Sequence, residues 1–571
     1  MNTPLLRTAI FFNRIGAWFQ EKNHLHTSRF AYDYELSPLM SNTLSGCAGS
    51  GLLLGVGAYN QFLQVSPAPE RRQLRNMLIT ARTGGGKGLL AVSQLLTWKH
   101  SVIVNDIKGD LFTQTAGYRS TLGKVFVIDP RGVGHQYDPT LGKHTGLDLK
   151  SIAKSLLHKP DEGEGEVFTQ RAVRMLDAVF QAGRIENISP LAYIAQLINE
   201  PLPYVAERIY RISPKLAVQF LDCEFAKADF ENKFLLSAWG TLTAKLDTLL
   251  TDSVVQSFGK SDFTMKDLMC EDAPITVYLR WRESDLLVLS PLVKLLWSSF
   301  INELITTYDN KGGENCHPVL LLLDEAGRTA VPHLSDYAST VCGRGISLWI
   351  AVQDLSQLEE IYGKHKAKTL RNNCDTQIYY RPNDLDTAKY LEERLGRKSD
   401  YAQSKTSRDG KETSQGQSEQ GVPLLTARNI MELEDEDIIG FYSNLKPFRS
   451  KRMDWRKVDP LVKRTKFPVP KISPLPPLAP LQAIAFSKVG GEKEEKTKKN
   501  IWNSEEQFLN ELTNPDRADS KIPNKNGKRD VVSFTVWQTP KLKKQNPLSN
   551  GKRTNTQRVE EECFLKKKIS S

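Results

Sequence analysis

At 571 residues, with 40% hydrophobic and 9% aromatic content, the chain reads as a globular protein with room for two or more domains and large cores. Seven scattered cysteines (Cys47, Cys223, Cys270, Cys316, Cys342, Cys374, Cys563) with no C-x-x-C pair argue against a disulfide framework and a structural zinc site, and favour a reducing compartment. The formal charge is +11, yet residues 521–571 carry thirteen Lys and Arg against four Asp and Glu, so the body is nearly neutral.

The first segment, 1–45, places Ile10, Phe11, Phe12, Ile15, Trp18 and Phe19 beside Arg7 and Arg14, the pattern of an amphipathic helix that lies on a membrane or packs on the body. Residues 45–59 are apolar but short and glycine-rich, and the apolar run from Leu286 to Ile305 is interrupted by Ser290, Pro291, Lys294 and Glu303. Neither reads as a membrane span, and no signal peptide is visible.

Met77-Leu78-Ile79-Thr80-Ala81-Arg82-Thr83-Gly84-Gly85-Gly86-Lys87-Gly88 is an apolar strand running into glycines and one lysine, a pattern suited to a polyphosphate. The usual phosphate loop, G-x-x-x-x-G-K-[ST], has Ala81 here at its first glycine and Gly88 at its magnesium-binding hydroxyl. Both departures are tolerable, because backbone N–H groups and the positive end of the following helix cradle phosphate without a particular side chain. Lys87 supplies the point charge for the β- and γ-phosphates, and the missing Mg²⁺ ligand then has to come from water or another residue. Val92, Leu95 and Leu96 continue the segment as a helix.

Further strand candidates alternate with helices in the manner of a parallel α/β sheet: Ser101 to Asn105 ending at Asp106, Lys124 to Ile128 ending at Asp129, Ile275 to Leu279, Val319 to Leu323, Leu348 to Val352, Thr376 to Tyr380 and Asp437 to Tyr442. Open α/β sheets place their chemistry just past the C-terminal ends of strands. Between Ile128 and Ile275 the strand signal stops. Val173, Leu176, Val179 and Phe180 form one helical face, and Leu235, Trp239, Leu242, Leu246 and Leu249 form another. The expected organisation is a nucleotide-binding domain from 46–146 and 261–456, with an all-α domain from 147–260 inserted in it. Ser399 to Gly421, rich in Ser, Gln, Gly and charge, reads as a mobile loop, and 457–571 as a Pro/Lys-rich tail, largely disordered, with one short helix near Glu505 to Leu512.

Val319-Leu320-Leu321-Leu322-Leu323-Asp324-Glu325 is a dense apolar run closed by two carboxylates, the Walker B shape. Asp324 would hold Mg²⁺ through its water shell, and Glu325 would orient and deprotonate the water that attacks the γ-phosphate. A third buried strand ends at Gln353, whose amide either bonds the γ-phosphate or the attacking water, or simply caps the strand.

Taken in order, Ala81–Gly88, Asp106-Ile107-Lys108-Gly109-Asp110, Asp324-Glu325, Gly343-Arg344-Gly345-Ile346, Gln353-Asp354-Leu355-Ser356-Gln357-Leu358, Tyr362-Gly363 and Asn372-Asn373-Cys374 resemble the TraG/TraD-type coupling ATPases of type IV secretion and conjugation, over roughly residues 50–456. A glycine after the loop lysine is frequent in that family. The D-x-K-G-[DE] element and the Q-D-L-S-Q-L run followed by Y-G are more specific than the Walker motifs. The resemblance implies a RecA-like motor that uses ATP and Mg²⁺, places Asp106 and Lys108 with the nucleotide, and assembles as a hexameric ring. It further implies an all-helical domain that meets relaxase-bound, single-stranded DNA or a protein substrate, with relaxosome proteins and the secretion channel as partners. The place it implies is the bacterial cytoplasm, at the cytoplasmic face of the inner membrane.

In such rings an arginine from one subunit commonly reaches the neighbour's γ-phosphate. Arg344 is the candidate, with a turn arginine as the alternative, since many relatives place this residue two positions earlier, at Cys342 here. Most relatives begin with two transmembrane helices, for which this chain shows no counterpart; a soluble branch, a partner tether or the amphipathic start would each account for that. The lysine clusters of the tail either bind phosphate backbone or only solubilise. Two other readings compete: an FtsK/HerA-like translocase on duplex DNA, and a substrate adaptor that binds nucleotide without hydrolysing it.

Overall fold

The computed structural model describes residues 25–41, 51–57, 61–65, 75–140, 146–157, 166–408 and 411–482. The amphipathic segment around Ile10 to Phe19, the helix expected near Glu505 to Leu512 and the lysine clusters of the tail lie outside these residues.

Thirteen strands form one mixed sheet: β1 (Met40–Ser41), β2 (Leu52–Val56), β3 (Phe62–Val65), β4 (Met77–Thr80), β5 (Ser101–Asp106), β6 (Val125–Asp129), β7 (Val133–Gly134), β8 (Thr276–Arg280), β9 (Val319–Leu323), β10 (Ile346–Val352), β11 (Thr376–Tyr380), β14 (Asp437–Tyr442) and β15 (Phe448–Lys451), with β12 (Arg397–Arg408) and β13 (Lys411–Pro423) apart as a hairpin. The order is β1-β3-β2-β15-β14-β11-β4-β10-β9-β5-β8-β6-β7. From β11 to β6 every pairing is parallel, and both flanks are antiparallel. The parallel strands match the seven apolar runs; the expected eighth, Asp437–Tyr442, is present but antiparallel.

Burial on both faces explains why these runs lack alternation. Leu78, Ile103, Leu321 and Ile350 join one core, and Met77, Ile79, Val102, Leu320 and Leu322 join the other. The second core is covered by α1 (Lys87–Thr97) and α2 (Asp110–Leu122). The first is continuous with eight α-helices among the described residues between β7 and β8: α3 (Gly146–Leu157), α4 (Glu166–Ile185), α5 (Pro190–Ala195), α6 (Leu202–Ile212), α7 (Pro214–Leu221), α8 (Lys233–Asp247), α9 (Asp252–Phe258) and α10 (Met265–Cys270). The two expected apolar faces lie on α4 and α8, with Leu249 buried just past the end of α8.

The apolar stretch from Leu286 to Ile305 lies inside α11 (Glu283–Lys311), which among the described residues is the one helix long and apolar enough to cross a membrane by length and composition. Leu292, Leu296, Trp297, Phe300 and Ile301 on it are buried in the first core.

Two expectations are corrected. Ser399 to Gly421 is not a loop: its backbone forms the antiparallel β12–β13 hairpin, fastened at its base by a Thr27–Lys398 bridge and by Ser28 N–H donating to Arg397 O at 3.1 Å. Its strands carry no apolar alternation, so backbone pairing with an anchored base is what holds them. Residues 457–482 also have defined structure. α12 (Asp459–Thr465) packs on the α1–α2 side, where Arg464 donates to Leu96 O at 2.6 Å and lies over the Tyr118 ring. The proline-rich segment after it then crosses the sheet edge as a strap. Gly134 N–H donates to Ser473 O and Leu475 N–H to Gly132 O, both at 2.8 Å. Leu481 N–H donates to Gln196 Oε1 at 2.9 Å, and Arg208 to Gln482 O at 2.8 Å, which ends the strap on the helices. Gly117 on α2 is required by this path, because a Cβ there would stand 2.3 Å from Phe467 O.

Candidate nucleotide site

The glycine loop follows β4 and turns into α1 at Lys87. Ala81 N–H donates to Val352 O at 3.0 Å, which pins the loop's first residue to the neighbouring β10. Gly84 and Gly86 take φ of +76° and +107°, a region that side chains with a Cβ disfavour. Gly86 stands at the N-cap of α1 with no side-chain cap, so the helix's leading N–H groups face the loop's concavity. A Cβ on Gly88 would meet nothing within 4 Å, so no steric pressure keeps a hydroxyl-bearing residue out.

The carboxylates arrive from β9, two strands away across β10. Lys87 Nζ lies 3.2 Å from Glu325 Oε1 and 3.7 Å from Asp324 Oδ1. Lys108, from the turn after β5, places its Nζ 2.9 Å from the same Glu325 oxygen. Lys87 Nζ, Asp324 Oδ1 and Glu325 Oε2 are buried and make no hydrogen bond. Buried groups of this kind cost stability unless something satisfies them, which a phosphate and a divalent cation would do. Burial raises the Asp324 carboxyl above the usual range, against the pull of Lys87. At Glu325 burial pushes the same way but is outweighed by Lys108 and Lys87, which leave it below the usual range and ionised at neutral pH.

The turn after β9 is braced from three sides. Asn105 Nδ2 donates to Asp324 O at 3.0 Å and to Thr329 Oγ1 at 2.9 Å. Ala326 N–H donates to Ala351 O at 2.8 Å. Gly327 gives room to Gln357, since a Cβ on it would stand 2.3 Å from Gln357 Oε1, the atom that accepts the Gln353 N–H at 3.0 Å. Gln353 is thus held at the mouth of β10, half-buried beside the loop.

Three expected site residues are engaged elsewhere. Asp106 is buried and accepts N–H groups of Leu111, at 3.4 Å, and Phe112, at 2.8 Å; its carboxylate caps α2 instead of facing the loop. Arg82 turns out of the loop to Asp435 at 3.0 Å, an acid it shares with Arg381. Arg344 precedes β10 whereas Gln353 follows it, so seven strand residues, roughly 20 Å, separate Arg344 from its own chain's site. There it makes a two-pronged pair with Asp309 on α11, at 2.7 and 3.1 Å. Thr83, exposed at the loop's tip, has no hydrogen bond among those of the described residues.

Sequence reasoning missed Arg452, just past β15. It donates to Gly85 O at 2.9 Å, and a Cβ on Gly86 would fall 3.0 Å from its guanidinium, so it backs the loop from outside. No local motif announces it, because 367 residues separate it from the loop it braces.

Sheet, loop and carboxylates together define a RecA-like P-loop domain. Residues 47–474 match the family model for type IV secretory system conjugative DNA transfer, and the chain belongs to that family. It is 26% identical over 357 residues to the conjugal transfer protein TraG of Escherichia coli, and 27% identical over 406 residues to the protein VirD4 of Agrobacterium fabrum. These alignments cover 56% and 66% of this chain, and the chain spans only 55% and 58% of those relatives' lengths. Among solved structures, the bacterial conjugative coupling protein TrwB superposes with a TM-score of 0.54 at 15% identity, over 74% of this chain and 92% of TrwB. A TrwB complex with ADP and Mg²⁺ superposes with a TM-score of 0.53, also at 15% identity, over 75% of this chain and 94% of that one. At that identity the likeness is one of fold.

Proposed function

We propose that the chain is an ATP-driven coupling protein that receives relaxase-bound single-stranded DNA, or a protein substrate, and passes it to a type IV secretion channel at the cytoplasmic face of the inner membrane. The observation that carries the reading is the Lys87 Nζ, buried without a hydrogen bond beside Asp324 and Glu325, in a chain whose residues 47–474 match the conjugative-transfer family. The TrwB complex with ADP and Mg²⁺ supports the same ligands here.

In this reading the backbone N–H groups of Gly84 and of Gly86 to Gly88, at the start of α1, hold the phosphates, the Gly85 N–H being spent on Arg82 O, and Lys87 moves from the carboxylates to the β- and γ-phosphate oxygens. Asp324 would hold Mg²⁺ through water, and Gly88 offers no hydroxyl to help it. Bound there, the ion would supply charge neutralisation of the phosphates. Glu325 takes the proton of the attacking water, and Gln353 orients that water. The chain assembles as a hexamer in which Arg344 meets a neighbour's nucleotide, and hydrolysis powers the substrate's passage from relaxosome to channel.

The test is DNA-stimulated ATP hydrolysis with binding measured in parallel. Lys87→Ala should lose nucleotide affinity by about 10-fold or more, whereas Glu325→Gln should keep affinity and lose turnover by about 100-fold or more. A parent that hydrolyses no faster than Glu325→Gln would leave only the non-hydrolysing adaptor. Equal loss of binding in both variants would remove Glu325 from the role given to it.

A further inference from the structure

The Glu325 backbone sits at φ +59°, a left-handed conformation that a residue with a long side chain adopts only when its surroundings over-determine it. What surrounds it is asymmetric. Oε1 takes both lysines, Lys108 at 2.9 Å and Lys87 at 3.2 Å. Oε2 makes no hydrogen bond and faces Arg328 Nε at 3.6 Å. Arg328 also closes the turn, its N–H donating to Glu325 O at 2.8 Å. The far end of its guanidinium is paired with Glu283, the first residue of α11.

We propose that Arg328 is a positioning residue for Glu325, held in place by Glu283, and that it aims Oε2 as the oxygen that receives the proton of the attacking water. The inference rests on the hydrolysis reading above. Once Lys87 is drawn to phosphate, Lys108 alone remains on Oε1, and a single contact from a side chain more than half exposed leaves the carboxylate free to swing about that bond. Arg328 supplies the second point, on the opposite oxygen. At 3.6 Å it attracts Oε2 without consuming the lone pair that a water O–H would use. The Arg328–Glu283 pair is exposed on both sides, 41% and 59%, so its worth to stability is small and its effect is on geometry. Misplacing a reacting group by about 1 Å costs roughly 100-fold, far more than such a pair returns in folding energy.

The experiment uses the full chain and four single variants: Arg328→Gln, Arg328→Lys, Glu283→Gln and Glu325→Gln, with the double variant Arg328→Gln/Glu325→Gln. Affinity for a fluorescent ADP analogue, the thermal midpoint and single-turnover hydrolysis are read for each. Arg328→Gln should lower the hydrolysis rate about 10- to 100-fold with nucleotide affinity and midpoint unchanged. Arg328→Lys should recover part of the loss, and Glu283→Gln should show a smaller loss in the same direction. In the Glu325→Gln background, Arg328→Gln should cost nothing further, because its effect runs through that carboxylate. Arg328→Gln as fast as a hydrolysing parent, or a loss of equal size in both backgrounds, overturns the inference and leaves the proposed function standing. A parent no faster than Glu325→Gln overturns both.

Discussion

Asp106 shows how one carboxylate can be drawn from a motif into the fold. It closes β5, is buried, and faces the N–H groups of Leu111 and Phe112 at the start of α2. Burial pushes its pKa from 3.8 up to about 6, against the pull of those N–H groups. The native state therefore holds this proton more tightly than the unfolded chain does. Asp106's contribution to stability is complete below about pH 4 and is lost as pH rises through about 6. Asp106→Asn removes the titration, so the stability of the parent relative to the variant should fall by up to about 3 kcal/mol between pH 4 and 7 in denaturant melts. A difference that stays flat would mean an ordinary carboxylate. Lys87, Asp324 and Glu325 were legible because each is tied to a local pattern, a glycine run or an apolar strand end. Arg328 and Arg452 were not, since their partners are a neighbouring carboxylate's free oxygen and a loop carbonyl far away in sequence.

At the scale of elements, continuous apolar runs announced the parallel strands because burial on both faces leaves only apolar residues there. Leu321, fully buried in the middle of β9, should cost about 2–5 kcal/mol as alanine for the same reason. The hairpin and the strap carry no such signal. Polar strands have no face to bury, and a proline-rich segment reads as tail until the surface that receives it is known. Leu478 and Leu481 pack against the first core, and the strap ends on Gln196 and Arg208 of the helical region. A chain ending at residue 482 should melt like the parent, whereas one ending at 466 should lose roughly 2–4 kcal/mol and exchange amide hydrogens faster in α5 and α6. Indistinguishable exchange in the two truncations would show that the strap fastens nothing.

Over the whole molecule, α11 carries Glu283 beside the site and, about 39 Å further along, Asp309 at the edge where Arg344 waits. The distance across β10 keeps Arg344 from its own chain's nucleotide, so any part it takes in hydrolysis is on a neighbour. Mixing Arg344→Ala chains with Lys87→Ala chains should then recover hydrolysis that neither has alone, since an intact loop meets an intact arginine at some interfaces. No recovery would confine Arg344 to its pair with Asp309. The parallel strands, the glycine loop and the paired carboxylates are written in local residue patterns, because strand burial and phosphate binding impose them. Which charges surround Glu325, where Asp106 spends its oxygens and how residues 459–482 fasten the helices to the sheet emerge only once the chain is folded. Those depend on contacts between segments far apart in the chain, and no local pattern encodes them.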